Sequence, residues 1–461
     1  MKTLLPSKFA SAEAQNSPNK RIYPKVLAAG LLLTSYLAAT QATAAVSAEE
    51  AAKLNTTLTP FGAEMAGNSE GSIPAWTPEL TLPSSYSADQ SLFTITGQNY
   101  QQYADKLTLG QKALFEKYPD TFQMKVYPTF RSHTLPDWMY SNIADNAVKA
   151  TLSEGAKGIA GAHAGVPFPI PTNGAEAIWN HLVRWRGSDY KSDYKSFVVY
   201  PNSSISETEL TEFWEFPYFD ASKEAGEGNE LASFMRVINA PIRRKGEITL
   251  GKDPVNFEKE SRRAWQYIPG QRRVRRAPSL GFDTPDSDTS NTTVVDEGWM
   301  YNGSPERYNW TLKGKKEMFV PYNEKVYLTA TQNGKSTEEV FNPNHPNPEL
   351  RRWELHRVWV VEGELKDGKR HVYQKRRFYI DEDSWNALLS ESYDSRGKLW
   401  KVAYAAPDNF EGMPGAITRG YVTHDLLSGI YAVDVYSVPT FYKGEGAKFF
   451  TPQNVRKLAR R

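Results

Sequence analysis

Val358-Trp359-Val360-Val361-Glu362-Gly363-Glu364-Leu365, then Lys366-Asp367-Gly368-Lys369, then His371-Val372-Tyr373-Gln374-Lys375-Arg376-Arg377-Phe378-Tyr379-Ile380 is the stretch that decides the fold. Two runs rich in β-branched and aromatic residues flank a short polar connection. Its Asp-Gly pair accepts the left-handed backbone that a tight hairpin turn needs. The stretch therefore predicts two antiparallel strands, 358–365 and 371–380. Leu388 to Tyr393 and Leu399 to Ala405 flank Asp394-Ser395-Arg396-Gly397 in the same way, and Ser196 to Tyr200 reads as another strand. From Lys191 onward the period is two, so residues 191–461 are expected to form an antiparallel meander with few helices. Ser203 to Asp220 is read as room for a short helix. The fold class is mainly β, of the α+β kind.

Residues 45–190 read differently, as loops and helices that pack on the sheet. Thr108 with Gln111 is a capping-box pattern opening a helix that Pro119 ends. Leu135 to Ala150 is a second helical stretch. Gly155 to Gly165 is rich in Gly and Ala. Val166-Pro167-Phe168-Pro169-Ile170-Pro171 follows as an extended strap, because alternate prolines forbid a helix. Asn173 as N-cap, Glu176 at N3 and Gly187 as a stop predict the best helix, with Ile178, Leu182 and Trp185 on one face and His181 and Arg184 beside them. No repeat of fixed period and no low-complexity linker separates the two parts. The change near residue 190 is one of pattern, and the parts are expected to form one integrated domain.

The first 44 residues have the marks of a cleavable signal peptide. Lys2, Lys8, Lys20, Arg21 and Lys25 precede an apolar run from Val26 to Ala39, and Ala42-Thr43-Ala44 offers small residues for cleavage. The run is shorter than a spanning helix requires. Lys20-Arg21 in a long n-region leaves both general secretion and a twin-arginine route open. Residues 1–44 carry five basic groups and one acid, Glu13; of the chain's 55 basic and 53 acidic residues, 50 and 52 lie beyond it, a net of about −2. The slight positive charge of the 461-residue chain thus belongs to the signal, and charge gives no case for nucleic acid. Mean hydropathy is −0.58, which excludes a bundle of membrane helices. There is no cysteine, hence no lipobox thiol, disulfide or thiolate chemistry. The expected location is the periplasm, without a lipid anchor.

Four arginines, Arg272, Arg273, Arg275 and Arg276, crowd one predicted strand. A strand sends alternate side chains to opposite faces, so arginine falls on both. Two readings stand: an ion-pair ladder with acids such as Asp296 and Glu297, or bidentate recognition of an anionic ligand or partner. Asp283, Asp286, Asp288 and Asn291 make an oxygen-rich loop without calcium-loop order. Asp381-Glu382-Asp383 offers half of a glycosidase-like pair with no second member in sequence. None of the seven histidines shows zinc spacing, and no nucleophile-elbow or phosphate-loop motif occurs. No catalytic, cofactor-binding or metal-ligating residue is assigned, and no cofactor is expected.

Leu58-Thr59-Pro60-Phe61-Gly62-Ala63-Glu64 through Gly71-Ser72-Ile73-Pro74-Ala75-Trp76 resembles the start of domain-of-unknown-function family 1329. So do Gly165 to Pro171 with Ala177-Ile178-Trp179-Asn180-His181, Pro269 to Pro278, Arg352 to Trp359, and Phe378 to Trp385. The resemblance covers nearly all of the mature chain. It implies exported proteins similar to outer-membrane lipoprotein-sorting carriers: a large curved antiparallel half-barrel, with helices packed in or over an apolar concave face. It also implies partners, namely a lipid or other hydrophobic small molecule, an export pump, an outer-membrane β-protein and transient membrane contact. Three functions follow as expectations: a periplasmic carrier, a non-enzymatic adaptor docking a transporter, and a carboxylate-based envelope hydrolase. An apolar void of several hundred Å³ would favour the carrier, and a closed core the adaptor.

Overall fold

The hairpin at 358–380 lies within one large sheet. In the computed structural model the described residues are 46–459 apart from 79–85, 87–88, 221, 224–226, 278–281, 442–445 and 447, and they fall in a single compact unit. Residues 1–44, expected from sequence to be a signal peptide, lie outside the described residues. The first strands are β1 (Phe93–Thr96), β2 (Gln123–Val126), β3 (Thr151–Leu152) and β4 (Ile159–Ala160). A first meander comprises β5 (Asp189–Val199), β6 (Ile205–Glu215), β7 (Glu230–Ala240), β8 (Ile248–Pro254), β9 (Arg263–Ile268) and β10 (Arg273–Arg276). Then come β11 (Tyr308–Pro321), β12 (Trp353–Leu365), β13 (Lys375–Asp381), β14 (Ala387–Tyr393), β15 (Leu399–Phe410), β16 (Met413–Asp425), β17 (Tyr431–Tyr436) and β18 (Thr440–Phe441). The helices are α1 (Ala48–Ala51), α2 (Leu109–Lys117), α3 (Asp137–Lys149), α4 (Gly174–Leu182), α5 (Lys325–Leu328), α6 (Thr337–Val340) and α7 (Pro452–Leu458).

Sixteen strands join in the order β1-β2-β12-β13-β14-β15-β16-β17-β5-β6-β7-β8-β9-β10, with β11 also on β12 and β18 on β5. Neighbours are antiparallel except for one parallel contact of Trp353 with Val126. The sheet is open, and it is strongly curved. Trp299 lies 6.3 Å from Trp214 of β6 and 4.6 Å from Tyr436 of β17, while Tyr301 lies 5.4 Å from Phe378 of β13 and 5.6 Å from Trp310 of β11. At about 4.8 Å per strand, a flat sheet would hold β11 and β6 about 38 Å apart. Two residues of one segment touch both, so the sheet curls round that segment as a half-barrel.

Both faces are covered. Residues 295–304 and α4 fill the inner side. On the outer side Gly110 of α2 donates its N–H to Glu391 at 2.7 Å, and Phe341, just after α6, packs 4.6 Å from Phe197. This double cover explains why β14 is buried throughout and β15 through its middle. Residues 45–190 are integral to the same unit: β1 and β2 extend the sheet, α2 covers it outside and α4 inside.

Three local expectations change. Residues 203–220 hold β6, not a helix; Thr208, Leu210, Glu212 and Trp214 alternate inward, and only Pro217–Phe219 makes a single 3₁₀ turn. The helix after Asn173 ends at Leu182, because Arg184 folds back to cap the His181 carbonyl at 2.6 Å. Trp185 therefore leaves the Ile178–Leu182 stripe, and Gly187, at φ +93°, turns the chain into β5 instead of stopping the helix. His371 to Gln374 precede β13 as loop, although the turn lies where the pattern put it.

Candidate functional site

Helix α4 is seated by its first residues. Asn173 accepts the Glu176 N–H at 3.0 Å, while the Glu176 carboxylate accepts the Thr172 N–H at 2.6 Å. A Cβ on Gly174 would lie 2.8 Å from the backbone of Thr311, so only glycine lets α4 rest on β11. Its far end carries His181, whose Nδ1 accepts the Ala387 N–H at 3.0 Å. Burial and the neighbouring Arg184 hold this imidazole well below its ordinary value, hence neutral.

Two buried arginines follow. Arg184, 2 % exposed, donates from Nε to Asn386 at 2.8 Å and from Nη1 to the His181 carbonyl, but its Nη2 has no partner. Arg186, 9 % exposed, sets its guanidinium carbon 4.6 Å from the Phe216 ring, 5.2 Å from Trp214 and 5.3 Å from Trp299, and its Nε is unpartnered. Among the described residues neither has a carboxylate within ion-pair distance. The nearby acids are committed elsewhere: Asp253 to Arg262, and Glu212 to Arg236 and the Trp214 indole. Burial, reinforced by Arg186, pulls Arg184 well below the usual arginine range, and burial also lowers Arg186. Guanidinium keeps its proton in proteins, so this direction marks an electrostatic cost, not a neutral arginine.

Two small cavities open between the inner face and residues 283–304. One, about 20 Å³, is lined by Arg184, Arg186, Trp179, Leu231, Phe257 and Tyr301. The other, about 110 Å³, is lined by Trp214, Phe234, Ile238, Tyr421 and the head groups of Arg236 and Arg244. Arg262, Trp299 and Asn302 border both. Trp299 and Met300 adopt φ +57° and +72°, a left-handed pair without glycine. The concave side holds α4 and residues 295–304, and the two cavities beside them are small. A groove of about 400 Å³ lies instead on the outer face, between β5, β17, α5 and α6, lined by Phe197, Leu328, Val340, Phe341 and Val435.

The sequence-predicted groups fall elsewhere. Arg272, Arg273, Arg275 and Arg276 lie at and on β10, the free end of the sheet, and are exposed. The ion-pair ladder with Asp296 and Glu297 does not form. Those two acids are buried against Arg376, His371 and Tyr373, because the curl of the sheet carries residues 295–304 inward, onto β13. In the acidic loop Asp288 accepts from Arg236 and Arg244, and Asp283 from Arg307. Asp381, Glu382 and Asp383 are buried in a balanced charge cluster. Asp383 takes both ends of Arg131 at 2.6 and 2.9 Å; Glu382 takes Lys315 and Arg357; Glu354 takes Arg352 at 2.6 Å and the His356 ring at 3.1 Å. Tyr322 and Ser384 hold one oxygen of Asp381, whose carboxyl burial and Asp383 push up to about 6. His356, Asp381 and Asp383 bring one donor atom each within 4.8 Å of one another. Both Asp383 oxygens already serve Arg131, so this geometry reads as a structural ion cluster. Sequence reasoning placed Arg184 beside a helix stripe and missed Arg186. The signal was there: Arg184-Trp185-Arg186 puts two charges inside an otherwise apolar stretch.

An open antiparallel half-barrel curled round a helix and a loop, with two buried arginines in the segment that follows the helix, is the class that fold and site define. The chain belongs to the family described as protein of unknown function (DUF1329), whose model matches residues 94–456. It is 42 % identical over 421 residues to the uncharacterized protein PA3922 of Pseudomonas aeruginosa, covering 88 % of this chain and 91 % of that one. Among solved structures it is similar to a DUF1329 family protein from Desulfovibrio piger, at 13 % identity and TM-score 0.40, over 58 % of this chain and 91 % of that chain. It is likewise similar to the LolA superfamily protein NE2245 from Nitrosomonas europaea, at 15 % identity and TM-score 0.35, over 61 % and 98 %.

Proposed function

We propose that the protein is a non-enzymatic periplasmic binding or carrier protein for a molecule with an apolar body, held between the inner face of the half-barrel and residues 283–304. The observation that carries this reading is the cavity of about 110 Å³ bordered by Trp214, Phe234, Trp299 and Tyr421 together with the charged Arg236, Arg244, Arg262, Asp286 and Asp288. An export pump and an outer-membrane β-protein are the proposed partners, and Arg272, Arg273, Arg275 and Arg276 the proposed contacts for an acidic surface. The test is extraction and native mass spectrometry of the mature protein purified from its own envelope. A stoichiometric apolar molecule is the expected result. An empty protein that binds no hydrophobic dye or apolar acid would overturn the reading. That outcome would favour the adaptor, for which the filled concavity and the outer groove of about 400 Å³ speak.

A further inference from the structure

The two arginines at the end of α4 are costly in a ligand-free protein. A buried charge is normally paired, and breaking such pairs is among the most destabilising changes a core can suffer. Arg184 is partly compensated by the His181 carbonyl and the C-terminal end of α4. Arg186 stacks against three aromatic rings, and cation–π attraction returns less than desolvation removes. Both present an unpartnered N–H into or beside the same small cavity. That cavity, about 20 Å³, has room for one or two atoms of the size of oxygen. It shares Arg262, Trp299 and Asn302 with the larger one, whose Trp214 and Phe234 walls suit a flat ring.

We propose that Arg186, with the free Nη2 edge of Arg184, binds the carboxylate of an apolar acid whose ring-bearing body occupies the adjoining cavity. The inference deepens the binding-protein reading and rests on it. A carboxylate fits better than a phosphate: it is planar, matches the guanidinium fork, and places a single oxygen in the space between the two arginines.

Calorimetric titration of the mature protein with 1-naphthoate and with neutral 1-naphthalenemethanol tests this, alongside R186M and R186K. The parent should bind the acid at least tenfold more tightly than the alcohol. R186M should weaken binding of the acid at least tenfold more than binding of the alcohol, and should raise the Tm of the ligand-free protein. R186K, which keeps charge but not the fork, should keep part of the preference. Equal affinity for acid and alcohol, unaltered by R186M, would overturn the carboxylate site and leave the binding-protein reading intact. A lowered Tm in ligand-free R186M, with both affinities reduced alike, would show a merely structural arginine. If neither compound binds the parent, the carboxylate site falls, and the envelope extraction separately decides the binding-protein reading.

Discussion

Asp434 shows how single residues set the pH response of this core. It sits on β17 opposite Tyr421 and Ser196, one of its carboxylate oxygens has no partner, and burial pushes the carboxyl up to about 6 from an ordinary 3.8. The folded chain therefore holds this proton more tightly than the unfolded one. As pH rises from about 4 to about 6 the unfolded state loses its proton first, and stability falls across that window. D434N should match the parent at pH 4 and exceed it by ~1–3 kcal/mol at pH 8. Urea unfolding at both pH values checks this, and a pH-independent difference would contradict it. Arg131 is the opposite case, a buried charge that is fully paired. R131M should cost ~3–5 kcal/mol, since it strands Asp383 and weakens the hold on Glu382, and the double variant R131M/D383N should recover part of the loss. These roles were not legible in sequence. Asp381-Glu382-Asp383 is visible as a cluster, but its partner Arg131 comes from a distant loop that only the fold brings near.

At the scale of elements, small residues decide where helices rest. A methyl group on Gly174 would strike the Thr311 backbone, and one on Gly110 would meet Val402 Cγ1 at 2.7 Å. G174A should destabilise by ~1–3 kcal/mol despite the better helix propensity of alanine, because backbone cannot yield as a side chain can. Urea unfolding reads the loss, and a stabilised G174A would mean that α4 does not bear on β11. G110A meets only a side chain and should cost less. The hairpins were legible because turn chemistry and alternation agree over Leu365–Lys375 and Tyr393–Leu399. The end of α4 was not, since it is set by Arg184 reaching back to a carbonyl. Residues 203–220 misled because Glu207, Glu209 and Glu215 fit a helix surface as well as the outer side of a strand, and only pairing with β5 and β7 decides between them.

For the whole molecule, the open sheet leaves β10 as a bare edge among the described residues, and exposed arginines guard it. Charged edges discourage further strand pairing. R273T, R275T and R276T combined should increase self-association in sedimentation velocity, in proportion to concentration; an unchanged distribution would show that the arginines serve a partner and not this purpose. Mainly-β class and antiparallel order were readable from the period-two pattern, and curvature came only through the family resemblance. The filling of the concave side was not readable, because no local pattern announces that residues 295–304 turn inward. No helix among the described residues is long and apolar enough to cross a membrane. The order of strands also has a kinetic side. β5 receives its β17 partner, Tyr431 against Val199, only after almost the whole polypeptide has been made. Until then the first meander and the second are separate sheets with open flanks, so closure is a late step of high contact order. While it lasts that interval is an aggregation hazard, and a chain cut short before Tyr431 would remain in it permanently.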